Sequence, residues 1–227
     1  MSSDSIRTDY ALGEEIASAI THGIGTGLSI AGLIFLIIRA ERYAPIEYRT
    51  SYIVGFTIFG ASMIILYMAS TLYHALTNRV AKQVFGIFDH TSIYSLIAGT
   101  YTAYCLTILH GALGWTIFGL IWGLAAIGIT FYAVFGSRMR KLSAISYIMM
   151  GLIIIFAYPS VKTNLMTVSG SNISWYLLLI GGSFYLIGTA FYAMKKIKWT
   201  HFTWHLFVIA GSIMHFFSIY LILRNGR

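Results

Sequence analysis

Apolar runs of roughly 20 residues, the length a helix needs to cross a hydrocarbon core of about 30 Å, recur along this 227-residue chain, parted by short polar links such as ERYAPIEYR and HGALG. That repeat constrains the fold more than any motif, because a water-soluble domain cannot hide so many such segments in one core. The composition agrees: 58% apolar and 10% charged residues, with a mean hydropathy of +0.77. The predicted class is an all-α integral membrane protein of seven transmembrane helices, with spans near 17–38, 51–74, 84–109, 113–135, 143–160, 173–194 and 201–223. The first run lies too far along the chain, and is too Gly-rich and unbroken, to read as a cleavable signal, so it is expected to be retained. The connections are short, and residues 1–227 are read as a single membrane domain. The lone Cys105 excludes an internal disulfide and any Cys-rich metal site.

The formal net charge of +8 raises the question of a nucleic-acid partner, but the Lys and Arg residues sit at span ends rather than on one soluble face. No nucleic acid is expected, and the charges are read as topology. Alternation of seven spans puts Arg7, Arg79, Lys82, Arg138, Arg140, Lys141, Lys195, Lys196 and Lys198 on one side. The other side carries Arg39, Arg42, Arg49, Lys162, Arg224 and Arg227. The richer side is the cytoplasmic one under the positive-inside rule, so the N-terminus is expected inside and the C-terminus outside a plasma membrane.

Ionisable groups within a bilayer cost at least ~2.5–3.5 kcal/mol near its centre and are functional candidates by default. On the alternating map they gather in one leaflet. His22 begins span one, Ser70 and His74 end span two, Asp89 and His90 open span three, and His201 and His205 open span seven, all from the inner side. His110 in an outer loop and His215 deep in span seven fall elsewhere. In HFTWH, His201 and His205 are one helical turn apart and point the same way, about 6 Å apart along the axis, which makes them a chelating pair. His74 offers a third imidazole at matching depth. Three protein ligands and one open position are the arrangement of catalytic zinc. Iron(II) on two His with Asp89 as the carboxylate remains open. Haem fits poorly, because its axial ligands approach from opposite faces. A proton relay would need polar stations across the whole bilayer, whereas the outer half offers only His215 and hydroxyls. His90 follows Asp89 directly and is expected to point about 100° away from it.

The segments GEEIASAITHGIG (13–25), MASTLYHA (68–75), FDHTSIYSLIAGTYT (88–102) and HFTWHLFVIAGSIMHFFSIY (201–220) resemble, in order and spacing, the signature segments of the bacterial hemolysin III family. That family is related to the progestin and adipoQ receptors and, more distantly, to the alkaline ceramidases, a group of seven-helix membrane proteins with metal-dependent hydrolase activity. The resemblance implies that His74, His201 and His205 bind Zn2+, that Ser70 lies one turn deeper beside the attacking water, and that Asp89 contacts that water. It assigns no catalytic role to Glu15 or His22; their spacing of two turns puts them on one helix face, suited to supporting the site or pairing with a basic loop. The chain lacks the long N-terminal domain of the receptors, which tells against a receptor role.

These parts fit a zinc-dependent hydrolase of an amide or ester bond in a lipid-like substrate, with Asp89 as general base and then acid and Ser70 orienting the water or stabilising the oxyanion. The expected partners are membrane lipids or a lipid-like small molecule. The competing readings are a non-catalytic membrane sensor with a structural metal, which would be expected to carry four protein ligands, and a pore-forming cytolysin, which would require export. Gly23 with Gly27 and Gly119 with Gly123 have the GxxxG spacing of close helix packing, and Pro159 is expected to be tolerated near the end of its span without a special role.

Overall fold

In a computed structural model of the protein, residues 10–194 and 196–223 are described; the topological cations Arg7, Lys195, Arg224 and Arg227 lie outside them. Among the described residues there is no strand. The helices are α1 (Leu12–Tyr43), α2 (Arg49–Ala75), α3 (Arg79–Thr107), α4 (Ala112–Phe135), α5 (Arg140–Leu152), α6 (Tyr158–Ser169), α7 (Ile173–Ala193) and α8 (Thr200–Tyr220), with 3-10 turns at Gly136–Met139 and Ile153–Ala157. Five segments are long and apolar enough to cross a membrane: α1, α2, the stretch Ala112–Ser169, α7 and α8. Helix α3 has 29 residues, about 44 Å at 1.5 Å per residue, which is length enough. It falls short in apolarity because it carries Arg79, Lys82, Asp89, His90 and a run of Ser and Thr.

Helix α1 shows which solvent the fold is built for. It exposes an i, i+4 stripe of Leu12, Ile16, Ile20, Ile24 and Leu28, and it buries Glu14, Glu15, Ser18, His22 and Ser29. Water would demand the reverse arrangement; a lipid surround rewards this one, since apolar side chains face the acyl chains while each polar group needs a protein partner. Helices α2 and α3 form the centre, packed on α1 and α4 respectively, with Phe56, Phe59, Met63, Tyr94 and Tyr104 among the buried side chains. Helix α8 closes the ring by packing on both α7 and α1.

The expected fifth span, 143–160, is not one unbroken helix. Helix α5 stops at Leu152, a 3-10 turn follows, and α6 continues to Ser169, well beyond the expected end. Tyr101 of α3 meets the backbone at this interruption. Its hydroxyl accepts the Ile154 N–H at 2.7 Å and donates to the Met150 carbonyl at 2.9 Å, with the Gly151 carbonyl at 3.0 Å also in reach. Pro159 lies in the first turn of α6, where its missing N–H would have had no partner, so the proline is tolerated there. Two glycines punctuate this region. Gly136 ends α4 at φ +58°, and Gly170 caps α6 in the left-handed conformation at φ +67°, its N–H reaching the Met166 carbonyl at 2.8 Å.

At the far end of α8, Arg39 of α1 is buried and donates through Nε to the Leu223 carbonyl at 2.8 Å. Its guanidinium lies over the rings of Tyr220 and Tyr43, 4.0 and 5.3 Å from their centroids. A cation placed among the last carbonyls of a helix is favoured by the helix dipole, so this residue, read in the sequence only as a topology marker, also fastens α1 to α8.

Candidate metal centre

Three helix ends converge at one end of the bundle. His74 is the penultimate residue of α2, His201 the second of α8, and Glu14 and Glu15 lie in the first turn of α1. Each helix offers an i, i+4 pair on its inner face: Ser18 and His22 from α1, Ser70 and His74 from α2, His201 and His205 from α8. All six are buried.

The imidazoles of His74, His201 and His205 turn their nitrogens toward one another. His201 Nε2 lies 3.3 Å from His74 Nε2 and 3.1 Å from His205 Nε2, and the three residues offer ligand atoms all within 4.8 Å. A tetrahedral zinc with Zn–N bonds of about 2.05 Å separates its ligand atoms by about 3.3 Å. The donor set therefore fits a small divalent ion, and three buried histidines could form a metal site. Neutral imidazoles suit Zn2+, but also iron(II), copper(II) or nickel(II).

The surrounding side chains restrain these rings. The Glu15 carboxylate accepts from His74 Nδ1–H at 2.7 Å, and the same Oε2 accepts from Lys82 Nζ of α3 at 3.1 Å. Glu14 Oε1 accepts the Phe202 N–H at the start of α8, 3.4 Å away. Tyr10 stacks on His201 with ring centroids 4.1 Å apart, and His22 stacks on the other ligand candidate of α8, His205, at 3.7 Å. Sequence spacing put Glu15 and His22 on one face of α1; it did not reveal that Glu15 meets His74, 59 positions away, whereas His22 meets His205. The acidic pair at the mouth of a span was the only signal in the sequence for this contact.

A cleft opens beside the cluster. It is lined by His22 of α1, Leu66 of α2, Asp89, His90 and Ile93 of α3, Ala144 and Tyr147 of α5, Thr189 and Tyr192 of α7, and His201, Trp204, His205 and Val208 of α8. Asp89 is thus brought to the same cleft as two of the three imidazoles. His90, one position on from Asp89, lines the cleft too. His90 Nδ1–H donates to the Gly86 carbonyl at 2.9 Å, its ring stacks on Tyr132 at 4.9 Å, and its own carbonyl accepts from the Tyr147 hydroxyl at 2.7 Å. Asp89 Oδ2 is 3.6 Å from His90 Nδ1.

Ser70 is completely buried and is not part of the cleft wall; its Oγ has no hydrogen-bond partner among the described residues, and the same holds for both ring nitrogens of His22. His215 stands apart from the cluster. Its Nε2–H donates to the Leu178 carbonyl at 3.2 Å and its ring meets Tyr185 edge-on, so it ties α8 to α7. The rings of His110 and Tyr48 meet at a tilt, with centroids 4.6 Å apart.

The helices, their lipid-facing surfaces and the buried histidine cluster define a multi-pass helical membrane protein with a possible three-histidine metal site. Comparison with known proteins gives the family: residues 10–216 match Haemolysin-III related, and the chain belongs to that family. It is 46% identical over 206 residues to Hemolysin-3 of Bacillus cereus, covering 91% of this chain and 90% of that protein. It is also 46% identical over 210 residues to a Hemolysin-3 homolog of Bacillus subtilis (strain 168), covering 92% and 94%. A more distant similarity, 26% over 169 residues with 72% and 68% covered, links it to the human monocyte to macrophage differentiation factor, of the progestin and adipoQ receptor family. No solved structure matches the chain.

Proposed function

We propose that this protein is a zinc-dependent membrane hydrolase that cleaves an amide or ester bond of a lipid-like substrate. The observation that carries the proposal is the cluster of three buried imidazoles, with His201 Nε2 3.3 Å from His74 Nε2 and 3.1 Å from His205 Nε2, two of which line one cleft together with Asp89. His74, His201 and His205 would hold the ion. When bound, zinc supplies Lewis acidity that polarises a carbonyl and makes a water molecule acidic enough to attack at neutral pH.

The protein's own groups then do the proton work. Asp89 takes a proton from the attacking water at a carboxylate oxygen as the water oxygen bonds to the carbonyl carbon. The C–N or C–O bond breaks with its electron pair on the leaving heteroatom, and Asp89 returns the proton there. Ser70, one turn from His74 with an uncommitted hydroxyl behind the cleft wall, is assigned the donor role toward the attacking water or the developing oxyanion. The apolar wall of Leu66, Ile93, Trp204 and Val208 suits an acyl chain, so membrane lipids or a lipid-like small molecule are the substrate class.

In this reading the chain crosses the membrane seven times: α3 is a span despite its polar residues, and Ala112–Ser169 crosses twice, as α4 and as the broken pair α5–α6. An unbroken helix of 58 residues would be about 87 Å long, nearly three times the hydrocarbon thickness. The N-terminus faces the cytoplasm, the C-terminus lies outside a bacterial inner (plasma) membrane, and the metal centre sits near the cytoplasmic leaflet. The test is turnover: protein in lipid nanodiscs incubated with N-acyl and O-acyl lipids, with free fatty acid read by mass spectrometry. Release that depends on zinc and on Asp89 is expected. Zinc-loaded protein that hydrolyses none of the panel favours the structural-metal sensor instead.

A further inference from the structure

We infer that Glu15 is the positioning residue of the metal centre, holding His74 in the tautomer that binds the ion and supplying negative charge against it; the inference rests on the metal reading proposed above. The three imidazoles are not equivalent. Nδ1 of His201 and Nδ1 of His205 are buried without a hydrogen-bond partner among the described residues, whereas Nδ1 of His74 is held by Glu15 Oε2 at 2.7 Å. A carboxylate can only accept, so the proton resides on Nδ1 and the lone pair of Nε2 is left facing His201 Nε2, 3.3 Å away. Among the described residues, His74 is therefore the one of the three whose tautomer a side-chain hydrogen bond sets, and the carboxylate raises the basicity of its Nε2.

Charge supports the same role. Neutral imidazoles bring no charge to a dication, and burial removes the water that would otherwise screen it. Glu15 is 5% exposed and stands one imidazole away from the ion's place. Lys82 shares the same oxygen, but at the longer distance of 3.1 Å, and its ammonium also lies 5.0 Å from the centroid of Tyr73. A simple tether between α1 and α3 would need only the lysine contact; the shorter bond to a ring that faces the cluster is what a ligand-orienting carboxylate makes. Through Glu15, the first turn of α1 thus sets the affinity of a site whose imidazoles come from α2 and α8.

The experiment measures Zn2+ affinity of the full-length protein in detergent by competition with a chromophoric chelator, alongside the visible spectrum of the Co2+ form. Glu15→Gln is expected to bind Zn2+ about 10- to 100-fold more weakly, the range typical of lost ligand-supporting carboxylates, with the Co2+ spectrum keeping its tetrahedral character. Glu15→Asp should fall between the two and stands in for the Gln variant if that does not purify as a monodisperse protein. Lys82→Met, which removes the tether and leaves the carboxylate, should bind within a few-fold of the unaltered protein. Affinity unchanged in Glu15→Gln and Glu15→Asp while His74→Ala has lost zinc overturns the inference and leaves the metal centre standing. An equal loss in Lys82→Met and Glu15→Gln also overturns it, because Glu15 would then act through the fold. Zinc retained in His74→Ala removes the metal reading itself.

Discussion

Replacing Tyr101 by Phe removes one oxygen atom and leaves backbone groups at the break between α5 and α6 without their partner. The hydroxyl accepts from Ile154 N–H and donates to Met150 O or Gly151 O, all at 2.7–3.0 Å, from a side chain that is 6% exposed. Two bonds are lost. Side-chain hydrogen bonds within membrane proteins average about 0.6 kcal/mol each, which sets a lower figure of about 1.2 kcal/mol. Leaving the partly buried Ile154 N–H without this acceptor costs about 1–3 kcal/mol by itself, while the Met150 carbonyl keeps the Ile153 N–H. The expected loss is about 2 kcal/mol. Equilibrium unfolding in mixed micelles, with rising SDS fraction and circular dichroism as the readout, measures it. The ring stays, so packing of the aromatic core is kept and the hydroxyl is isolated as the variable. A Tyr101→Phe protein that unfolds at the same SDS fraction as the unaltered one would refute the reasoning, since it would mean that the interrupted backbone finds its partners elsewhere.

Asp89→Asn should keep its zinc, with affinity weakened by no more than about 10- to 100-fold, and lose hydrolysis by about 10²- to 10⁴-fold, as read by metal content and fatty-acid release on one preparation. Ser70→Ala should be milder in the same assay, because it removes one donor and no charge. If the Asn variant loses metal as fully as a histidine variant does, Asp89 is itself a ligand and the iron(II) reading gains. For topology, a reporter active only outside the cytoplasm, fused after the C-terminal residue, should be active; a reporter active only inside at that position reverses the map and moves the metal centre to the outer leaflet.

Much of this architecture can be read from the sequence because lipid imposes simple rules. Run length and mean hydropathy give the helical membrane class, and the i, i+4 spacing of His201 and His205 with the alternation of spans brings His74 to the same end. What escapes the sequence depends on partners far along the chain. Hydropathy does not register the break at Ile153–Ala157, because the residues there are apolar and the compensation comes from Tyr101, some 50 positions away. The offset of Asp89 and His90 on their helix is a local expectation; that both line one cleft, with residues of α5 and α7, is not visible in the sequence. Glu15 and His22 share a face as their spacing requires, yet they engage different histidines, His74 of α2 and His205 of α8. Ser70 follows the motif in position, one turn from His74, but its burial outside the cleft wall is a matter of helix rotation that spacing alone does not fix.

The central claim is that His74, His201 and His205 hold one metal ion, and elemental analysis of the purified protein tests it most directly. The unaltered chain should carry about one zinc per molecule after dialysis against metal-free buffer, and His74→Ala should lose most of it. The His201→Ala, His205→Ala double variant, which keeps a single imidazole of the three, should carry none. Full zinc occupancy in that double variant would contradict the account.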